Sequence, residues 1–390
     1  MTTPRLRSVV VVGAGLLGTS IGLALRLHGI DVHLVDADEG TAARAADQGA
    51  GTVGVDSLAL PADLAVVAVT PAATAAVVAD LLGRAVARTV TDVASVKERP
   101  RAELAALAAD TARYVGGHPM AGGERSGPAA ARADLFLGRP WVLTPGSATA
   151  PDAVEVVRLM ARLCGAVPTQ MSPVEHDRTV ALVSHAPHIL AALVAGQLVD
   201  ADPAARALCG QGIRDVTRIA ASDPGLWRGI LERNADPVAA VLRAVRADLD
   251  VVIAALEQEL DLPDGSRGSA DRPPEGADRR TVGADRSAGG VAGAAVAAVL
   301  ARGVEGRRLM PGKHGAAATA YTTVSVVITD RPGQLAGLFA AAGEVGINIE
   351  DVRIDHAPGQ PLGLIELAVR PSSAARLVTD LRTRGWTVHD

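Results

Sequence analysis

Residues 13 to 18, Gly13-Ala14-Gly15-Leu16-Leu17-Gly18, limit what this chain can fold into more than any other stretch. They follow a β-branched run, Ser8–Val12, and open a segment from Thr19 to His28 with helical apolar spacing, after which Val32–Val35 again reads as a strand. Strand, glycine turn, helix and strand make a βαβ unit in which each glycine has its own reason. The first permits the tight turn, the second lets backbone approach a pyrophosphate, and the third lets the helix pack closely on the strand. Free N–H groups at the helix N-terminus then face the phosphates. Asp36 stands 18 residues after Gly18, where a carboxylate accepts hydrogen bonds from ribose hydroxyls. Ala37, Asp38 and Glu39 offer no arginine to a 2′-phosphate and add negative charge. The expected cofactor is therefore NAD, held by Gly13, Gly15, Leu16, Leu17, Gly18 and Asp36.

The uncharged run from Val9 to Leu25, behind Arg5 and Arg7, superficially resembles a signal peptide or a short membrane span. The glycine spacing serves no purpose in lipid, and no A-x-A cleavage site follows, so a protein without membrane association is expected. Cys164 and Cys209 cannot make a disulfide framework or a CxxC metal site, which suits a reducing cytoplasm. Aromatic residues are 2% of the chain, too few for base-stacking platforms, and a net charge of −5 gives no phosphate-seeking field. Nucleic acid is not an expected partner.

At 390 residues the chain is long enough for several domains. Further buried strands read at Leu64–Val69, Thr89–Val93 and Trp141–Leu143, separated by Ala-rich helical stretches such as Ala72–Leu82 and Arg101–Ala109. This alternation predicts an α/β, doubly wound parallel sheet over residues 1–172. Over 173–261 the strand signal vanishes and helices take over, as in Val238–Leu260. Residues 262–290, rich in Pro, Gly, Asp and Arg, read as a disordered linker. A connecting helix and loop occupy 291–319, with the helix at Val291–Ala301. Residues 320–390 read β-α-β-β-α-β, a ferredoxin-like module. Its strands are expected at Thr322–Thr329, Ile347–Ile354, Pro361–Arg370 and near Thr387.

Four stretches carry candidate chemistry. Ser95 follows a strand end and either caps the next helix or donates a hydrogen bond into the crevice at the sheet's carboxyl edge. His118, within Gly116-Gly117-His118-Pro119, is expected on a loop, and a general base suits it better than a core histidine. Glu124 extends that loop. His185 and His188 are three apart on a helical segment, a spacing that could hold zinc, but no third ligand lies nearby, so no metal is expected. Arg214 and Arg218 share a helical face with Asp215. They form either a solvated charged face or a fork that clamps a planar carboxylate.

Together, Gly13–Ser20, Asp92–Glu98, Gly116–Gly127, Ser184–His188 and Gly212–Trp227 resemble, in order, the motifs of the prephenate and arogenate dehydrogenases of tyrosine biosynthesis. Asp330–Leu335 with Gly346–Ile349 looks like an ACT domain, a small amino-acid-binding fold. Ala94 stands where glycine is usual and Arg214 where lysine is often found. The resemblance implies oxidative decarboxylation of a cyclohexadienyl substrate with hydride passing to NAD. It also implies that His118 accepts the proton of the ring 4-hydroxyl and that Ser95 hydrogen-bonds the same hydroxyl. Arg218 would clamp a substrate carboxylate, with Arg214, His185, His188 and Glu124 lining or gating the pocket. Prephenate is the expected substrate, with arogenate or an aminated analogue as alternatives. A homodimer is implied, and a tyrosine effector at Asp330, Gly333, Gln334, Leu335 and Asn348. A non-catalytic NAD and amino-acid sensor would lack the base or the clamp, and both are present.

Overall fold

The structure, a computed structural model, describes residues 5–107, 109–123, 125–260, 291–310, 321–329, 331–356 and 362–389. Glu124, Asp330 and the expected linker 262–290 lie outside them. The chain divides into two compact units, Met1–Asp250 and Val251–Asp390.

The first unit opens with β1 (Ser8–Val12), α1 (Leu16–Arg26), β2 (Asp31–Val35), α2 (Glu39–Asp47), β3 (Thr52–Val53), β4 (Ala62–Val67), α3 (Pro71–Gly83), β5 (Ala87–Asp92) and α4 (Glu98–Ala106). It continues with β6 (Tyr114–Pro119), β7 (Pro140–Pro145), α5 (Pro151–Leu163) and β8 (Val167–Gln170). The strands form one sheet in the order β3-β2-β1-β4-β5-β6-β7-β8. Strand order reverses between β1 and β4, which is the crevice where open α/β sheets bind ligands. Alternate residues of β1 feed opposite faces: Val9 and Val11 join one apolar core with Ile21, Leu25 and Met160, while Val10 joins another with Val78, Leu81 and Leu104.

Two expectations need correction. The sheet is mixed, because β6 and β7 run antiparallel, with His118 opposite Val142. His118 is not on a loop but inside β6, whose six residues are all buried. Gly116 and Gly117 signal close packing instead of a turn. A Cβ on Gly117 would sit 2.6 Å from the Asp92 carbonyl oxygen, so the neighbouring strand leaves no room for a side chain.

The helical part comprises α6 (Pro173–Val180), a five-residue π turn (Ala181–His185), α7 (Ala186–Gly196), α8 (Pro203–Ala207), α9 (Gln211–Thr217), a 3₁₀ turn (Arg218–Ala221), α10 (Pro224–Arg233) and α11 (Ala235–Leu260). Ser172 starts α6 with a capping box: its side chain accepts the Glu175 N–H and the Glu175 carboxylate accepts the Ser172 N–H. The run Pro173–Gly196 is long and apolar enough to cross a membrane. It nevertheless buries His176, Asp177, His185 and His188 inside the protein, a polar face that belongs to a packed domain.

In the second unit, α12 (Val291–Arg308) extends beyond the expected Ala301. It is followed by β9 (Thr322–Thr329), α13 (Gln334–Glu344), β10 (Asp351–His356), β11 (Leu362–Val369), α14 (Pro371–Thr383) and β12 (Thr387–His389). The antiparallel order β10-β11-β9-β12 is the ferredoxin-like arrangement, with one face buried through Val326, Ile365, Leu367, Leu377 and Leu381. Asn348 precedes β10 and lies outside any strand, contrary to expectation, and its amide donates to Glu350 at 2.8 Å.

Candidate active site

The glycine turn is built as its sequence requires. Gly13 sits at φ +99, where a Cβ would also collide with the backbone of Ala68 at the end of β4. A Cβ on Gly18 would collide with the Gly13 carbonyl, so the helix can lie close only on glycine. Around Gly15 the space is open, as a site for backbone approach to a pyrophosphate demands. Asp36 Oδ2 accepts the Ala14 N–H at 2.7 Å and Oδ1 accepts the Asp38 N–H at 2.9 Å. The carboxylate is thereby fixed beside the turn at the end of β2. Asp38 is occupied as the cap of α2 and lies below the usual carboxylate range, held there first by the Thr41 hydroxyl and then by the Gly40 N–H. These residues fit a dinucleotide.

Two strands along from the switch point, β5 and β6 run parallel, so the segment after Asp92 and the end of β6 emerge at one edge. Ser95 lies in a half-buried bend there. It does not cap α4, whose N-cap position is Lys97. The cap comes from the helical part instead: Asp177 accepts the N–H of Lys97 at 2.8 Å and of Glu98 at 2.9 Å. Asp177 Oδ1 also meets His176 Nδ1 at 2.6 Å, and His176 Nε2 meets His118 Nδ1 at 2.8 Å. Asp177, His176 and His118 form one buried chain. Desolvation holds His118 well below the usual imidazole range, with the charges that His176, Lys97 and His185 can carry adding to it. At neutral pH it is an unprotonated base.

Lys97 Nζ, itself buried, pairs with Asp92 and donates to the Gly117 carbonyl, and the Tyr114 hydroxyl donates to Asp92 at 2.6 Å. These bonds tie β5 to the residue preceding His118. His185 and His188 meet on Trp227: His185 edge-on with centroids 5.9 Å apart, His188 stacked at 3.6 Å. The Asn234 amide donates to the Asp177 carbonyl and to His185 Nδ1. Burial takes His185 down to about 4. The π turn explains how these histidines share a site with His176. Nine residues of unbroken α-helix would place His185 roughly half a turn out of phase, and the wider turn resets the face.

Arg214 lies in α9 and Arg218 begins the 3₁₀ turn, both exposed on elements that pack against α7. Arg218 is the C-cap of α9 and still has helical backbone, four residues after Arg214. Among the described residues no cluster suits a metal. In the second unit, Gly333 at φ +89 caps α13, Gln334 is its first residue and Leu335 packs half-buried on the core. Sequence reasoning missed His176, Asp177, Asp92, Tyr114, Trp227 and Asn234 as parts of the site. Lys97 carried a signal: it is one of two lysines in a chain whose basic residues are otherwise arginine.

Fold and site define a class, the nicotinamide-dependent oxidoreductases that join a Rossmann-type sheet to an all-helical region. Residues 21–169 match the family "Prephenate dehydrogenase, nucleotide-binding domain", and residues 172–262 match "Prephenate dehydrogenase, dimerization domain". The chain belongs to the prephenate dehydrogenase family. It is 36% identical to the probable prephenate dehydrogenase NovF of Streptomyces niveus over 98% of this chain and 99% of that protein. It is 32% identical to the prephenate dehydrogenase of Bacillus subtilis (strain 168), over 65% of this chain and 71% of that one. Among solved structures it resembles the A. aeolicus prephenate dehydrogenase in complex with hydroxyphenyl propionate and NAD+, with a TM-score of 0.59 and 28% identity over 67% of this chain and 94% of that one. It also resembles the Synechocystis arogenate dehydrogenase, with a TM-score of 0.55 and 27% identity over 65% and 93%. The chain is an NAD-dependent enzyme, and its helical part is a dimerisation domain.

Proposed function

We propose that His118 carries the proton transfer in NAD-dependent oxidative decarboxylation of prephenate to 4-hydroxyphenylpyruvate. The supporting observation is a buried imidazole at the end of β6, held well below its usual range by desolvation, on the sheet edge where the glycine turn and Ser95 also emerge. His118 takes the proton of the ring 4-hydroxyl while Ser95 hydrogen-bonds that oxygen. Bound NAD supplies the acceptor for the C4 hydride. The ring carboxylate leaves as CO2, its electron pair stays in the ring, and the phenolate so formed recovers the proton from His118. A substrate dianion and NAD+ thus give a monoanion, CO2 and NADH, with no net proton released. Aromatisation drives the reaction, so positioning is the protein's main task. Arg218 clamps a substrate carboxylate, and Arg214, His185, His188 and Glu124 line or gate the pocket.

The assembly is a homodimer in the cytoplasm, supported by exposed Leu182, Val183 and Leu193 on Pro173–Gly196. The second unit is an ACT domain that takes tyrosine through Asp330, Gly333, Gln334, Leu335 and Asn348, supported by its ferredoxin-like sheet and the glycine cap of α13. Steady-state rates with prephenate and arogenate, each with NAD and NADP, test the substrate reading. Turnover of prephenate with NAD is expected, and turnover of arogenate alone would replace it. Calorimetric titration with tyrosine tests the effector.

A further inference from the structure

The hydrogen bonds to His118 run in one direction only. Asp177, as a carboxylate, can only accept, and its oxygens take the N–H groups of Lys97 and Glu98 and the ring nitrogen of His176. His176 must then carry its proton on Nδ1, which makes its Nε2 an acceptor. The 2.8 Å contact to His118 Nδ1 therefore places the His118 proton on Nδ1. A neutral imidazole protonated there holds its lone pair on Nε2. We infer that His176 and Asp177 are positioning residues for the proton transfer: in series they lock His118 in the tautomer whose Nε2 accepts the substrate proton, and they share the charge that arrives. The anchor is rigid, because Asp177 is held by the first turn of α4, which also follows the Ser95 bend. The inference rests on the reading of His118 as the base.

The ionisable groups around His118 are His176 and Asp177 from α6, Asp92 at the end of β5, Lys97 at the N-cap of α4, His185 from the π turn and Tyr114 on its own strand. Removing the Asp177 charge withdraws the one carboxylate in the relay. The full-length enzyme with prephenate and NAD is the system to use. His176→Leu should lower kcat by roughly 10- to 100-fold with the KM for NAD unchanged, and His176→Gln, which keeps an acceptor, should recover part of the loss. Asp177→Asn should lower kcat and move the acid limb of the kcat profile to lower pH, since protonated His118 loses its distant counter-charge. Imidazole nitrogen NMR of the unaltered enzyme should show His118 with Nδ1 protonated, a reading that does not depend on any variant folding. An Nε2-protonated His118, or wild-type kcat and acid limb in folded His176→Leu, overturns the relay. An unaltered kcat in His118→Asn instead overturns the assignment of the base, so the two failures are separable.

Discussion

His188 lies flat on the indole of Trp227, with ring centroids 3.6 Å apart and planes 7° from parallel. His185 meets the same indole edge-on at 86°. One side chain on α10 therefore holds both histidines of the π turn and α7. Aromatic pairs contribute about 0.5–1.5 kcal/mol each beyond the area they bury. Trp227→Leu should destabilise by about 1–3 kcal/mol, read as a lower urea midpoint at unchanged m-value.

The buried histidines set an acid limit on stability. His118, His176, His185 and His188 are all pushed below their ordinary value, by desolvation first in each case. Their folded forms are neutral, while an unfolded chain takes up protons near 6.5. The contribution is thus complete above about 6.5 and is lost as pH falls toward the folded values, about 4 for His185. Each such group adds a slope of up to about 1.4 kcal/mol per pH unit. Chemical denaturation from pH 7.5 to 4.5 should show a steady decline, and a flat profile would contradict it.

Lys97 and Asp92 form an ion pair closed off from water. Replacing one partner strands the other. Lys97→Met should cost about 3–5 kcal/mol, measurable as a fall in thermal midpoint, and Asp92→Asn should cost less because the amide oxygen can still accept the Ala94 N–H while the Tyr114 hydroxyl can turn to accept from the amide N–H.

For the base, His118→Asn should reduce kcat at least about 100-fold while NAD still binds, as followed by titration of the cofactor. Full activity would remove His118 from the chemistry.

For cofactor choice, Asp36→Ala removes the carboxylate proposed to accept from the ribose and also frees the Ala14 and Asp38 N–H groups. The ratio of kcat/KM for NAD over NADP should fall by about tenfold or more, a hydrogen bond to a charged group being worth ~1.5–3 kcal/mol.

The glycine turn, its flanking strands and the ferredoxin-like order were legible because each rests on local patterns of period and turn chemistry. The β6 strand was misread because Gly116 and Gly117 have a non-local cause, the carbonyl of Asp92 and the side chain of Thr144 on neighbouring strands. The motif singles out His118 but not the residues that bond to it. His176 and Asp177 sit 58 and 80 residues from the groups they bond, and only the fold brings such separations together. The π turn left no mark either, since hydropathy at helical spacing does not register one extra residue in a turn.

The contacts of Asp177 also bear on how such a protein can be recombined. The two matched family regions end at residue 169 and begin at residue 172, an inviting seam for exchanging parts between relatives. The cap on α4 and the partner of His118 both lie beyond that seam, on the first helix of the following region. A chimaera cut there inherits His118 from one parent and its bonded partners His176 and Asp177 from another. A crossover after α6 keeps Asp177 with the α4 end it caps and His176 with His118, and leaves the exchange to fall in the π turn, where helix phase is the variable to match.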